Sequence, residues 1–174
     1  MDDQREASGR PDVLALVSET LKAPVKISGQ PVANLVASTS GTDSDWVIKL
    51  VDVYAGDYPD PVPNPARVRM GGYQQLVRGD VFRGKFRNSF EKPEPFQPGK
   101  RSSVAFDVPD VFHTFRRGHR LMVHVQSSWF PLGDRNPQQF LNIYEANPSD
   151  FIKSTIRIHH DSANASKIIL PILK

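Results

Sequence analysis

The chain has 174 residues, of which 39% are hydrophobic and 24% are charged, a composition typical of one globular domain with a substantial core. Its 22 basic and 19 acidic residues are largely intermixed and give a formal net charge of +3, so we expect no nucleic-acid partner. No apolar run approaches the roughly 20 residues that span a bilayer, so we expect no membrane partner. The absence of cysteine excludes disulfides, thiolate metal ligands and cysteine nucleophiles.

The dominant hydrophobic period along the chain is two, which indicates β-strands. In the segment 46–54, apolar residues occupy both faces, which predicts a strand covered on both sides. In the segment 120–129, Leu121, Val123 and Val125 alternate with more polar neighbours, which predicts a half-buried antiparallel strand. In chain order, the predicted strands are 13–18, 25–28, 32–39, 46–54, 73–78, 103–108, 120–129, 155–160 and 167–173.

Turn-forming residues separate these strands, and no segment has a helical stripe of ten residues or more. The proline-rich segments 58–65 and 91–99 predict extended surface loops, because proline fixes φ and lacks an amide donor. Pro171 predicts that the last strand lies at an edge of a sheet or contains a bulge. The pattern predicts an all-β fold, either a sandwich or a barrel. We expect residues 1–11 to form a flexible N-terminal segment and residues 12–174 to form a single domain.

The sequence predicts no catalytic residue. A serine hydrolase of the α/β type places its nucleophile in a Gly-x-Ser-x-Gly turn, and no such pentapeptide occurs. Ser127 and Ser128 lie at the end of a predicted strand, and the segment 159–161 contains His159, His160 and Asp161. Neither serine has flanking glycines, however, and consecutive histidines on a strand point to opposite faces.

We also expect no metal ion and no cofactor. His113, His119 and His124 are spaced so that 119 and 124 face opposite sides of a regular strand. The segment 42–45 (TDSD) contains oxygen ligands but lacks the glycine and the distal glutamate of a helix-loop-helix calcium site. Aspartate and serine in such a run typically bond nearby backbone amides in a turn.

Aromatic residues allow two interpretations. Phe82, Phe86 and Phe90 recur every four residues in an irregular, arginine-rich segment, which favours core or interface anchors over nucleic-acid stacking. A stand-alone carbohydrate-binding module remains an alternative, and two or three coplanar exposed rings in a groove would support it. The rings available for stacking on a sugar are those of Trp46, Tyr54, Tyr58 and Tyr73.

Several ordered motifs carry a family resemblance. They are 37–46 (ASTSGTDSDW), 49–54 (KLVDVY), 73–79 (YQQLVRG), 82–84 (FRG), 90–96 (FEKPEPF), 118–120 (GHR), 127–131 (SSWFP) and 134–137 (DRNP). From about residue 12 to its end, the chain resembles the C-terminal domain of the X-Pro dipeptidyl-peptidase-like acyl hydrolases. This family includes cocaine esterase, glutaryl acylases and α-amino acid ester hydrolases.

The resemblance implies a jelly-roll β-sandwich of the galactose-binding-domain-like type. In this family the Ser-His-Asp triad belongs to a preceding α/β-hydrolase domain, so no catalytic residue can be assigned to this chain. The implied role is non-catalytic: the sandwich packs on that hydrolase domain and completes the active-site cleft of an enzyme for ester, amide or X-Pro dipeptide bonds. The alternative is a stand-alone carbohydrate-binding or protein-interaction module.

The implied partner is an α/β-hydrolase catalytic domain, either in the parent chain or separately encoded. The same exposed surface can also pair with itself in a homo-oligomer. Interface cores favour tryptophan, phenylalanine and arginine, although some of these residues are equally expected to close the ends of the sandwich itself. The predicted docking residues are Trp129, Phe130, Asp134, Arg135, Phe82, Arg83, Phe90 and Phe96.

Overall fold

The computed structural model of the chain describes residues 3–173, apart from the side chain of Asn164. These residues contain one short helix, α1 (Arg5–Ser8), and twelve strands. Single 3₁₀ turns lie at Gly84–Phe86, Ile143–Glu145 and Pro148–Asp150. The strands are β1 (Leu14–Val17), β2 (Val25–Gly29), β3 (Val32–Thr39), β4 (Asp45–Val53), β5 (Gln74–Arg83), β6 (Ser102–Asp107), β7 (Val111–Phe115), β8 (Arg120–Gln126), β9 (Ile156–Ile158), β10 (His160–Asp161), β11 (Asn164–Ala165) and β12 (Lys167–Ile169).

The strands pair antiparallel and form a β-sandwich. The first sheet has the order β1-β8-β4-β5, and the second has the order β12-β3-β6 with β9 also paired to β3. A two-stranded pair, β2-β7, lies beside them, and β10-β11 forms a small hairpin. This architecture confirms the predicted all-β sandwich. Among the described residues, no helix has the length and apolar character needed to cross a membrane.

The hydrophobic core lies between the sheets and draws on both of them. Strand β4 supplies Trp46, Ile48 and Leu50 to this core, while β3 and β6 supply residues such as Leu35 and Val104 from the facing sheet. These five side chains are almost fully buried. Burying such side chains is the main stabilising contribution to the fold, at roughly 1.5–3 kcal/mol for each large apolar group.

The outer face of β4 is also buried, as its two-sided apolar pattern predicts. Val47, Lys49 and Val51 on this face are each at most 4% exposed. The N-terminal residues form part of the cover: the amide of Gln4 donates to the carbonyl of Gln74 at 2.8 Å, and Lys49 Nζ donates to Gln4 Oε1 at 3.0 Å.

The N-terminal segment, expected to be flexible, therefore packs on the first sheet. Asp3 forms an isolated β-bridge with Gln75, and the carboxylate of Asp3 accepts from the side chain of Arg5 at 2.6 Å. The physical reason is that the sheet presents a buried ammonium on this face, and the side-chain oxygen of Gln4 satisfies it. Asp3 and Gln4 thus contact the first sheet.

Several strands differ from their predictions: β8 ends at Gln126 rather than at residue 129, and β12 ends at Ile169 rather than at residue 173. Strand β5 continues through Gly79 to Arg83, although the pattern ended at residue 78. Glycine is required there because a Cβ at position 79 would lie 2.9 Å from the ring of Trp129. Strand β7 carries a short alternation of Val111, His113 and Phe115 that was too brief to be assigned from sequence.

Candidate docking surface

The predicted docking residues lie mainly around one end of β4. Trp129, Phe130 and Arg135 occur in the loop that follows β8, which we call the docking loop (residues 127–137). Phe82 and Arg83 end the neighbouring strand β5. The two groups are adjacent, because a Cβ at Gly133 would lie 3.7 Å from the side chain of Val81 on β5. Asp134 is an exposed member of the same loop, and Phe90 lies in the segment after β5.

Trp129 anchors the docking loop to the sheet through a buried lysine. Lys49 Nζ lies 4.4 Å from the centre of the Trp129 ring, a cation–π contact of a kind that contributes about 0.5–2 kcal/mol. Lys49 is 4% exposed, and burial lowers the pKa of its ammonium, with the nearby charge of Arg10 acting in the same direction. The ammonium is therefore contacted by one tryptophan face and one glutamine oxygen.

A buried polar network anchors the same loop at its other end. Asn136 Nδ2 donates to Asp45 Oδ1 at 2.8 Å and to Asp43 Oδ2 at 3.2 Å. Asp45 also accepts both guanidinium bonds of Arg83, at 3.1 and 3.2 Å. Arg83 is thus an internal tie between β5 and β4, and its side chain is only 22% exposed.

Burial raises the pKa of Asp43, although hydrogen bonds from Asn136 and Ser44 oppose that effect. The backbone amide of Lys85 donates to Asp43 Oδ1 at 3.1 Å. The sequence predicts a turn in which aspartates of segment 42–45 bond local amides, and the bond from the Ser44 amide has that form, whereas the amide of Lys85 reaches Asp43 from 42 residues further along the chain. The long-range partner Asn136 could not be identified from the sequence pattern.

Between these two anchors, the docking loop presents apolar side chains to solvent. Phe130 is 65% exposed and Leu132 is 71% exposed. The guanidinium of Arg135 lies 6.0 Å from the Phe130 ring and 5.1 Å from the Phe151 ring. Further exposed hydrophobic residues continue along the chain beyond the loop, in irregular segments without periodicity that sequence reasoning missed. These are Phe140, Tyr144, Phe151 and Ile152.

The three remaining phenylalanines have different environments. Phe96 is 2% exposed and its ring lies 6.2 Å from that of Trp46, so it contributes to the core and is removed from the docking set. Phe82 stacks on Phe106 of the facing sheet at 4.9 Å, nearly parallel, and so closes the edge of the sandwich. Phe90 is 79% exposed.

Three of the histidines pair with acidic or hydroxyl side chains of other segments. Asp52 accepts from both His113, at 2.9 Å, and His119, at 2.8 Å. These two hydrogen bonds link β4 to β7 and to the turn before β8. His159 pairs with the hydroxyl of Ser38 at 3.0 Å, and that serine is only 3% exposed. Within residues 3–173, no group of three or more potential ligands can hold a metal ion.

The aromatic residues considered for sugar stacking do not form a platform. Trp46 is completely buried. The ring of Tyr54 meets Tyr58 at 56° and Tyr73 at 68°, so these three rings are not coplanar. The coplanar exposed rings that would support the carbohydrate alternative are therefore not found among these four residues.

Adjacent residues of the docking loop are expected to behave differently in the isolated 174-residue chain. Trp129→Ala should lower the free energy of unfolding by about 1–2 kcal/mol, because Lys49 loses its aromatic cover. Phe130→Ala should change it by less than about 0.5 kcal/mol, since its ring is in solvent. Urea unfolding followed by circular dichroism measures both, and equal losses would contradict the assignment of Trp129 as the anchor.

The described residues thus form an antiparallel β-sandwich with a loop at one end that exposes apolar side chains. Residues 3–169 match the family described as the X-Pro dipeptidyl-peptidase C-terminal non-catalytic domain. The chain belongs to this family.

Relatives of known structure or name are hydrolases of greater length. An α-amino acid ester hydrolase structure is 46% identical with a TM-score of 0.91, and the match covers 98% of this chain and 27% of that one. An aminopeptidase structure from a marine sediment Thaumarchaeota archaeon is also 46% identical with a TM-score of 0.91, covering 99% of this chain and 28% of the other. Cocaine esterase from Rhodococcus sp. (strain MB1 Bresler) is 33% identical over 172 residues, which are 99% of this chain and 27% of the esterase.

Proposed function

We propose that this domain docks through its loop at residues 127–137 onto the α/β-hydrolase catalytic domain of a serine acyl hydrolase and completes one side of the active-site cleft. The observation that carries the proposal is the exposure of Phe130 and Leu132 on a loop that buried polar groups fix at both ends. Large apolar side chains exposed together on an ordered loop are characteristic of an interface.

The composition of the surface fits this role. Phenylalanine, tyrosine and arginine are the residues that interfaces concentrate, with anchors at the centre and polar groups at the rim. Phe130 and Phe151 flank the guanidinium of Arg135, and Asp134 stands exposed beside them. A rigid loop loses little conformational entropy when it docks, which favours tight binding.

Docking of this kind would influence catalysis without supplying a catalytic group. The expected chemistry of the partner is attack of an activated serine on an ester or amide carbonyl. Small displacements of groups around a reacting carbonyl reduce rates steeply. A domain that forms one wall of the cleft therefore affects the rate by holding those groups in position. The names of the relatives, two ester hydrolases and an aminopeptidase, support a partner that acts on esters or amides.

The test is a chimera in which this chain replaces the matching region of the α-amino acid ester hydrolase relative. Phe130→Ala combined with Leu132→Ala should lower the melting temperature and reduce kcat/KM about tenfold or more, because interface anchors typically contribute 2 kcal/mol or more. The matched control is Phe112→Ala. Phe112 is 79% exposed and neighbours His113, which contacts Asp52 at the far end of β4 from the docking loop.

Equal effects of the two changes would contradict docking through this loop, as would a chimera whose stability and activity neither change affects.

A simpler observation separates a dissected enzyme from a stand-alone module. A reading frame encoding a Gly-x-Ser-x-Gly hydrolase immediately upstream of Met1, or beside this gene, would identify the partner.

A further inference from the structure

An open groove lined by phenylalanines lies at the edge of the sandwich where β5 faces β6. Its volume is about 610 Å³, and its lining includes Phe82, Phe86, Phe90 and Phe106. The rings form one continuous series, since Phe82 stacks on Phe106 at 4.9 Å and Phe90 lies 6.2 Å from Phe82 and 6.0 Å from Phe86. The groove adjoins the docking loop, because Val81 lines it and also faces Gly133.

Two carboxylates line the same groove and have no cationic partner among the described residues. Asp80 accepts a hydrogen bond only from its neighbouring amide, that of Val81, at 2.8 Å. Asp107, at the end of β6, is exposed, and within residues 3–173 its carboxylate forms no ion pair and accepts no hydrogen bond. The groove therefore combines apolar rings with two unneutralised negative charges.

The nearby cations are committed elsewhere. Arg83 pairs with Asp45, and Lys85 Nζ donates to the carbonyl of Leu141 at 3.0 Å. Arg87, which also lines the groove, lies over the Phe96 ring at 4.1 Å and donates to backbone carbonyls. Its acceptors are the carbonyl oxygens of Gly84, Glu94 and Pro95. None of these groups neutralises Asp80 or Asp107.

We propose that the groove receives a segment of the catalytic partner in which an arginine stands next to an apolar side chain. The face of an aromatic ring attracts cations, and a planar guanidinium stacks on such rings while bonding a carboxylate. The arginine would meet Asp80 or Asp107, and its apolar neighbour would cover Phe90. This inference rests on the proposed docking and names the chemistry of one part of the partner's surface.

The first test uses two peptides titrated against the 174-residue chain and followed by NMR. The probe is acetyl-Leu-Arg-Phe-amide, and its neutral counterpart replaces arginine with citrulline, which keeps the shape and removes the charge. We expect the arginine peptide to bind about three to ten times more tightly, with shifts at the groove. Phe90→Ala and Asp107→Asn should remove that preference, and the equally exposed Phe112→Ala should retain it. Equal binding of the two peptides, or no binding, overturns the inference.

The second test uses the chimera described above and keeps this inference separate from the docking proposal. Asp107→Lys should lower the melting temperature of the chimera, because it places a like charge against the partner's arginine. The control is Asp110→Lys, an exposed aspartate between β6 and β7. If Phe130→Ala with Leu132→Ala impairs the chimera and Asp107→Lys does not, docking stands and the arginine-binding groove is overturned.

Discussion

Asp45→Ala is expected to lower the free energy of unfolding of the chain by about 3–5 kcal/mol, because removing one partner of a buried ion pair leaves the other uncompensated. Asp45 is 1% exposed and accepts from both Arg83 and Asn136. Its loss leaves a largely buried guanidinium without a counter-charge and removes one of the two acceptors of the Asn136 side-chain amide nitrogen. The docking loop is expected to loosen at the same time.

Chemical denaturation of the 174-residue chain measures this effect, and Asp12→Ala is the matched control. Asp12 also pairs with an arginine, Arg10, but both side chains are more than half exposed. Exposed ion pairs of this kind contribute about 1 kcal/mol or less. Losses of similar size for the two variants would show that the network at Asp45 does not stabilise the fold as the geometry indicates.

Acidification from pH 6.5 to pH 4 is expected to destabilise the chain through His124 by about 2–3 kcal/mol. His124 is completely buried, and desolvation, assisted by the charge of Lys49, lowers its pKa from 6.5 to about 4. Between these two values the unfolded chain binds a proton that the folded chain excludes. Stability therefore falls as the pH falls, by up to about 1.4 kcal/mol per pH unit.

The measurement is the difference in stability between pH 7 and pH 4.5 for the wild type and for His124→Leu. The variant should lose most of the acid sensitivity that this histidine causes, whereas His160→Leu, at an exposed position, should retain it. A difference between variants is needed because Asp43 acts in the opposite sense: its pKa is raised, so the folded state gains a proton as the pH falls. Identical pH profiles for wild type and His124→Leu would contradict the assignment.

Most strands could be predicted from the sequence because their signal is local. Alternation along 120–129 and the two-sided apolar pattern of 46–54 each identify a strand from its own residues. What covers the outer face of β4 could not be predicted, since Gln4 and Trp129 reach Lys49 from 45 residues before it and from a loop after another strand. Contacts between distant segments leave no period in the sequence.

The docking surface could be predicted only in part, for the same reason. Phe90 and Phe96 lie six positions apart in one proline-rich segment, and nothing in the neighbouring sequence indicates that one is exposed and the other buried. One is 79% exposed and the other 2%, because only Phe96 meets the Trp46 ring. Conversely, Phe151 is exposed beside Arg135 of the docking loop through a fold of the chain that no motif indicates. Residue type alone identified the candidate residues, and only the tertiary contacts determine which of them are buried and which are exposed.

The shared contact of Gln4 and Trp129 with one ammonium has a practical consequence for handling the domain. We expect an affinity tag, fluorophore or surface tether attached close to Gln4 to weaken its contact with this lysine, and so to disturb the docking loop, which Trp129 joins to the same lysine. Attachment near residue 112, on the opposite end of the sandwich, leaves that lysine alone. Immobilisation chemistry should therefore be directed there whenever partner binding is to be measured.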